Sequence, residues 1–258
     1  MPRINLNADL GEGYGPWTMG DDDAMLAIVN SANVACGGHA GDPDVMRRTL
    51  RLAREHGVSI GAHPSYPDLR NFGRRAMSLA PAELENQLAA QIGALMGIAA
   101  MEGVRVSHVK PHGALNNQAC VDRALADTIC RTVRAIDPAL ILLAPAASQL
   151  VAAGHAAGLS VVEEIFADRA YLPDGQLVPR SQPGAMVHGA AACLAHVLKM
   201  LDAGALIATD GTRIPTPIGS ICVHGDSPGA IEVARHLRRE LAAIGYASVP
   251  LPALATGN

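Results

Sequence analysis

The chain has 258 residues, 49% of them hydrophobic, with 20 basic and 24 acidic side chains and a formal net charge of −4. Dispersed basic residues leave no footprint for nucleic acid, and no apolar run reaches the roughly 18 residues of a membrane span. Five cysteines without CxxC spacing (Cys36, Cys120, Cys130, Cys193, Cys222) fit a reducing cytoplasm and argue against a zinc–thiolate site, and the length suits one domain over residues 1–258.

The first predicted strand, Ile4–Ala8, follows the start so closely that it leaves no room for a signal peptide. It ends in Asp9 and Glu12, carboxylates that could hold a metal, orient a histidine or act as a base, or simply cap the amides of a glycine-rich turn. Gly11, Gly13 and Gly15 lack the Gly-x-Gly-x-x-Gly spacing, and Asp21 to Asp23 would repel phosphate while complementing the dipole of the first helix. The second strand, Ala32–Ala35, opens into a segment glycine-rich enough for close backbone approach to a ligand, with Cys36 at its start and His39 at its apex. Asp42-Pro43 then starts a helix. The third strand, Val58–Ala62, ends at His63, held extended by Pro64, with Tyr66 in the following loop. A long helix from Pro81 carries Leu84, Leu88, Ile92 and Leu95 on one stripe and stops at Glu102-Gly103.

Alternation in the fourth strand, Val106–Lys110, sends His108 and Lys110 to one face and leaves His112 beyond the strand end. A lysine in mid-strand needs a partner, and its charge suits a carboxylate or a developing oxyanion. The fifth strand, Leu140–Ala144, ends in the nearly bare knot at Ser148, and a short helix over Val151–Ala157 stops at Gly158. The sixth, Val161–Ala167, ends at Asp168 and Arg169, a guanidinium suited to a carboxylate, with Tyr171 just beyond. Asp174-Gly175 and Asp210-Gly211 read as tight turns on either side of a helix over Met186–Leu201. The seventh strand, Ser220–His224, leads to Asp226 and a helix start at Ser227-Pro228.

Short apolar strands that alternate with helices and end in polar knots describe a β/α barrel, whose strand ends open onto one face. Seven units are visible and an eighth strand is not, so whether the barrel closes is left open. The pooled strand ends nominate Asp9, Glu12, His39, His63, Lys110, His112, Asp168 and His224 as catalytic. Arg169, Tyr66, Tyr171 and Asp226 are nominated to bind substrate, since loop aromatics in an aliphatic chain line a pocket or plug the loops onto the barrel. Asp9, His39 and His63 could together hold a divalent metal, or do metal-free acid–base work. A P-loop and a Gly-x-Ser-x-Gly elbow are absent from the sequence.

Asn7–Gly13, Ser31–Pro43, Ile60–Asp68, Phe72–Arg75, His108–Leu115, Phe166–Tyr171 and Ile221–Asp226 resemble, in order and spacing, the LamB/YcsF family. The resemblance implies a seven-stranded TIM-like barrel related to glycoside hydrolase and deacetylase barrels. It also implies one component of an ATP-dependent 5-oxoprolinase, which opens 5-oxoproline to glutamate with two partner subunits, B and C. ATP would then be a co-substrate whose site is shared with or supplied by those partners. Water activation would fall to Asp9 with His39 or His63, oxyanion stabilisation to Lys110, the carboxylate clamp to Arg169, and protonation of the leaving nitrogen to His112 or His224. The other readings are a stand-alone metal-dependent deacetylase of N-acylated sugars or amines, and a non-catalytic scaffold subunit.

Overall fold

The structure, a computed structural model, describes residues 1–225 and 229–255. The first half contains β1 (Arg3–Leu10), α1 (Asp22–Leu26), β2 (Ser31–Ala35), α2 (Pro43–Glu55), β3 (Ser59–His63), α3 (Pro81–Met101), β4 (Val106–Val109), α4 (Gly113–Ala119) and α5 (Arg123–Ile136). Then come β5 (Ile141–Pro145), α6 (Gln149–Ala156), β6 (Ser160–Phe166), α7 (Ala190–Ala203), β7 (Ala205–Ile207) and β8 (Arg213–Pro215). The chain continues through β9 (Ser220–Cys222), α8 (Ala230–Ala243), β10 (Ala247–Ser248) and α9 (Leu251–Ala255).

Among the described residues, β1 to β6 and β9 form a parallel barrel that closes where β9 pairs with both β6 and β1. Closure therefore needs no eighth strand. Ser220 is the hinge of that closure, registered against Glu164 on one side and Asn5 on the other. Strands β7 and β8 form an antiparallel hairpin outside the barrel, turning at Asp210-Gly211 as the sequence predicts. At the other end of the barrel, the C-terminal segment is tied to the strand starts: Asn5 donates to the Val249 carbonyl, and Leu251 N donates to Ser31 Oγ.

The helix signals in the sequence act as expected. Asp42 Oδ1 accepts from the amides of Asp44 and Val45 ahead of Pro43, and the apolar stripe of α3 is buried against the barrel. Boundaries move where tertiary contacts overrule local pattern. Strand β1 runs two residues further than expected and takes Asp9 into its end, because Asp9 pairs with Asn33 of β2. Helix α7 begins at Ala190, four residues late, behind the positive-φ Gly189. The predicted helix start at Ser227-Pro228 lies outside the described residues.

The barrel interior is polar. Alternation along β1 sends Ile4, Leu6 and Ala8 into the apolar layer, while Asn5 and Asn7 bond to one another's neighbours inside. Asn5, Asn7, Asn33, His108, Lys110, Glu164 and Ser220 are all buried, so each must find a partner within the barrel.

Candidate active site

The C-terminal ends of the strands open into a cavity of ≈ 510 Å³, lined among others by Asp9, Glu12, His63, Lys110, His112, Arg169, Tyr171 and His224. Eight of the nominated residues thus meet in one place. His39 and Asp168 stand directly behind it, His39 stacked on the His112 ring at 3.6 Å and Asp168 paired with His224. Tyr66 does not join them: it packs in the apolar core, 1% exposed, and its place as a substrate contact is corrected accordingly. Asp226 lies outside the described residues. The Cys36 thiol is buried, which pushes it up to about 12 and leaves it a core residue rather than a nucleophile.

Three histidines and two carboxylates share the floor of the cavity. His63 Nδ1 lies 2.7 Å from the Lys110 carbonyl, which can only accept, so Nδ1 carries a proton and Nε2 is the atom turned into the cluster. His112 Nε2 donates in the same way to the Phe72 carbonyl at 2.9 Å, leaving its Nδ1 lone pair exposed. His112 Nδ1 and His63 Nε2 face each other at 3.0 Å. Glu12 Oε1 is 3.1 Å from His39 Nε2 and 3.7 Å from His112 Nδ1, and Asp9 Oδ2 is 3.3 Å from His63 Nε2. Burial first, and then the charge of neighbouring histidines, holds His39 and His112 well below the usual imidazole range, so both rings stay neutral.

Inward-facing ring nitrogens and carboxylates are atoms that a cation can bridge. One ligand atom from each of Glu12, His39, His63 and His112 lies within 4.8 Å of the others, and among the described residues the buried His39 Nδ1 has no hydrogen-bond partner. Three imidazoles and one carboxylate are a donor set that divalent transition metals accept. This set differs from the Asp9, His39 and His63 trio expected from the sequence. Asp9 Oδ1 accepts from Lys110 Nζ at 3.0 Å and from Asn33 Nδ2 at 2.8 Å, whereas Glu12 and His112 turn into the cluster.

Lys110 occupies the middle of the barrel. Its ammonium meets Asp9 Oδ1 at 3.0 Å, Glu164 Oε2 at 3.1 Å, Cys222 Sγ at 3.2 Å and Asn7 Oδ1 at 3.4 Å. Burial would lower its proton affinity, but the charges of Asp9 and Glu164, with the Cys222 hydrogen bond, raise it well above the usual lysine value. Three N–H groups facing four acceptors leave no donor to spare. The geometry makes Lys110 a positioning residue for Asp9 rather than the oxyanion donor expected from its place in the sequence. Asp9 in turn stays far below the ordinary carboxylate range: its burial is outweighed by His63 and Lys110.

A second acid–base group stands on β9. His224 Nδ1 is 2.8 Å and 2.9 Å from the two oxygens of Asp168, so Nδ1–H donates to the carboxylate and Nε2 is the basic atom. Burial tends to raise Asp168, but the His224 hydrogen bond and charge bring it below its usual value. Phe166 stacks on the imidazole at 5.6 Å and fixes its plane. Arg169 is buried and donates from Nη2 to the Val178 carbonyl at 2.7 Å, and among the described residues its Nε has no hydrogen-bond partner. The Tyr171 hydroxyl accepts from Phe166 N at 2.8 Å, so its ring, not its oxygen, is what the cavity meets.

Sequence reasoning gives no role to Glu164 or Arg180, and it reaches Asn7, Asn33 and Arg74 only within the family motifs and Phe72 there and as a loop aromatic. Glu164 is legible in retrospect, because a carboxylate inside an apolar strand must have a buried partner. Phe72 is not: its φ of +54° appears only in three dimensions, where its carbonyl fixes the His112 tautomer. Gly73 beside it also has a positive φ, and a Cβ there would stand 2.9 Å from both the His112 ring and His39 Cβ.

Comparison with known proteins places this geometry. The chain is 60% identical to the A subunit of 5-oxoprolinase from Azoarcus sp. strain BH72 over 98% of both sequences. It is 55% identical to the protein of that name from Methylococcus capsulatus over 97% of this chain and 95% of the relative. The crystal structure of a lactam utilization protein from Thermus thermophilus superposes with a TM-score of 0.89 at 42% identity, covering 96% of this chain and 99% of that one. A T48 deacetylase solved with substrate shares the fold alone, at 12% identity and a TM-score of 0.53 over 100% of this chain and 92% of its own. The LamB/YcsF family model matches residues 4–256, and the chain belongs to that family.

Proposed function

We propose that this chain is the A component of an ATP-dependent 5-oxoprolinase, hydrolysing the cyclic amide of 5-oxo-L-proline to L-glutamate together with subunits B and C. The observation that carries the reading is the pair of separate acid–base groups on one cavity, in a chain this similar to proteins so named. Lactam hydrolysis needs a base for water and an acid for the departing nitrogen, and the cavity offers both. Asp9, held ionised by Lys110 and 3.3 Å from His63 Nε2, is the base for water. His224, its Nδ1–H fixed by Asp168, turns Nε2 to the cavity as the atom through which a proton passes to the ring nitrogen as the C–N bond opens. The substrate's carboxylate is met by Arg169, which lines the cavity.

Glu12, His39, His63 and His112 would hold a divalent metal. When bound, such an ion supplies Lewis acidity at the carbonyl and to water. ATP enters as co-substrate because a five-membered lactam recloses readily, proximity favouring the ring, so opening it needs an energy source. The sequence has no glycine-rich phosphate loop, and the partners are assigned the nucleotide site.

The test is to combine the chain with subunits B and C, 5-oxoproline and ATP, and to follow glutamate and phosphate. Glutamate should form only when all three proteins are present, and His224→Gln should slow it by about 10²–10⁴-fold with the fold intact by circular dichroism. Full activity without this chain would refute the assignment.

A further inference from the structure

Trp17 is the single tryptophan of the chain, and it does neither of the things expected of a loop aromatic. It does not line the cavity, and at 73% exposure it does not plug its loop onto the barrel. All of residues 14–20, the tip of the β1–α1 loop, are exposed, Tyr14 and Met19 with them. Of the eight large apolar residues exposed among the described ones, these three share one loop and the others stand singly. Single exposed apolar side chains are ordinary, whereas a group of them around a tryptophan marks a contact surface.

The loop is held in shape. Tyr14 N donates to the Trp17 carbonyl at 2.9 Å and Trp17 N donates back to the Tyr14 carbonyl at 3.0 Å, closing a tight turn in which Gly15 takes a φ of +54°. Gly15 N donates to Asp42 at the cap of α2, and the Gly13 carbonyl accepts from Gly41 N at 2.8 Å. At the far end Gly20 packs so closely that a Cβ would stand 3.0 Å from the Gly225 carbonyl oxygen. The loop therefore runs along the cavity rim, from Glu12 of the histidine cluster to the residue after His224. Met19 lines a narrow cleft with Asp9, Glu12 and Gly225. An aromatic side chain on a loop fixed in this way loses little freedom when a partner covers it.

Charge selects the partner. Asp21, Asp23 and Asp44 are exposed and Asp42 is half-buried around the two anchors of the loop, against Arg48 and the His56 imidazole. A second copy of this chain, meeting the same face about a two-fold axis, would set these carboxylates against themselves. The complementary surface is an apolar pocket with a basic lip. We infer that the loop over residues 14–20 is the docking knob for the partner subunit that brings the nucleotide site, with Trp17 as its buried anchor. This rests on the 5-oxoprolinase reading, in which the acid–base groups stand in this chain and the nucleotide in another, so the two sites must meet at one rim. A tryptophan at the centre of such a contact carries a large share of the binding energy.

The experiment labels the full chain with fluorotryptophan, so that Trp17 alone gives a ¹⁹F signal, and adds unlabelled subunits B and C singly and together. In the free chain the signal should show the shift between light and heavy water that an exposed ring has, and it should lose that shift when the partner binds. Trp17→Ala, at an exposed position, should weaken the complex at least about tenfold by calorimetry, with an unchanged circular dichroism spectrum. Asp23→Asn should slow association, and the difference should fade as salt is added. A complex in which the signal keeps its solvent shift, unchanged affinity in Trp17→Ala, or no complex with either subunit would overturn the inference. So would a signal that moves with the concentration of this chain alone, which makes a second copy the occupant. A signal that moves with 5-oxoproline and ATP in the absence of partners would overturn it as well, by making the loop a cover for the ligand. The three-subunit glutamate assay separates the two levels. Glutamate formation with an unaltered Trp17 signal removes the docking knob and keeps the reading. Burial of Trp17 in an assembly that yields no glutamate keeps the docking knob and removes the reading.

Discussion

At the scale of single residues, the barrel interior is governed by charge balance. Lys110 faces two carboxylates, and Glu164 is raised above its usual value by burial, against the opposing pull of Lys110. Lys110→Met would leave both acids buried without their cation and should cost about 3–5 kcal/mol in urea unfolding. Adding Glu164→Gln should recover part of that loss, since one stranded carboxylate then becomes neutral. His108 gives a pH prediction. Burial, aided by the charges of Lys110 and His63, lowers it to about 3, while its unfolded value is near 6.5. Between those limits the unfolded chain binds a proton that the folded one refuses. Its contribution is therefore complete above pH 6.5 and falls by about 1.4 kcal/mol per pH unit towards pH 3. His39 and His112 titrate in the same direction, so the diagnostic is the difference: His108→Gln should show a shallower acid slope by one proton in urea titrations from pH 8 to 4.

At the scale of elements, glycines set how closely strands and loops carry their side chains. Gly61 of β3 lies beneath the His108 ring of β4, and a Cβ there would meet the ring at 2.2 Å. Gly61→Ala should therefore cost about 1–3 kcal/mol through overpacking, read as a lower midpoint in denaturant with unchanged slope. Helix α2 offers a milder test. Asp42 caps it through two amides and also accepts from Gly15 N of the β1–α1 loop, so Asp42→Ala should cost about 0.5–2 kcal/mol. A loss at the upper end would show that the cap also anchors the loop that carries Glu12.

At the scale of the whole molecule, the histidine cluster links four segments: the β1–α1 loop through Glu12, the β2–α2 loop through His39, β3 through His63 and the start of α4 through His112. A ligand that binds only when all four are in place stabilises the folded state by mass action. Divalent zinc or manganese should raise the melting temperature of metal-stripped protein, chelator should reverse the rise, and His112→Ala should abolish it. An identical melting temperature with and without metal would leave a shared proton as the cation between His63 and His112.

The order of short apolar strands and helical stripes was readable along the chain because alternation at periods of 2 and 3.6 is a local property. So was the pooling of Asp9, His63, Lys110, His112, Arg169 and His224 at one face, since parallel strands joined by helices must all end on the same side. Tertiary structure alone decided which of them touch. Barrel closure through β9, the replacement of Asp9 by Glu12 and His112 in the donor cluster, and the burial of Tyr66 in the core depend on strand tilt and loop path. The role of Lys110 was likewise fixed by Glu164, 54 positions away in the chain and 3.1 Å away in space. A linear pattern records which face a side chain is on. Which partner it meets across a closed barrel is set by register and shear, to which residues on every strand contribute at once.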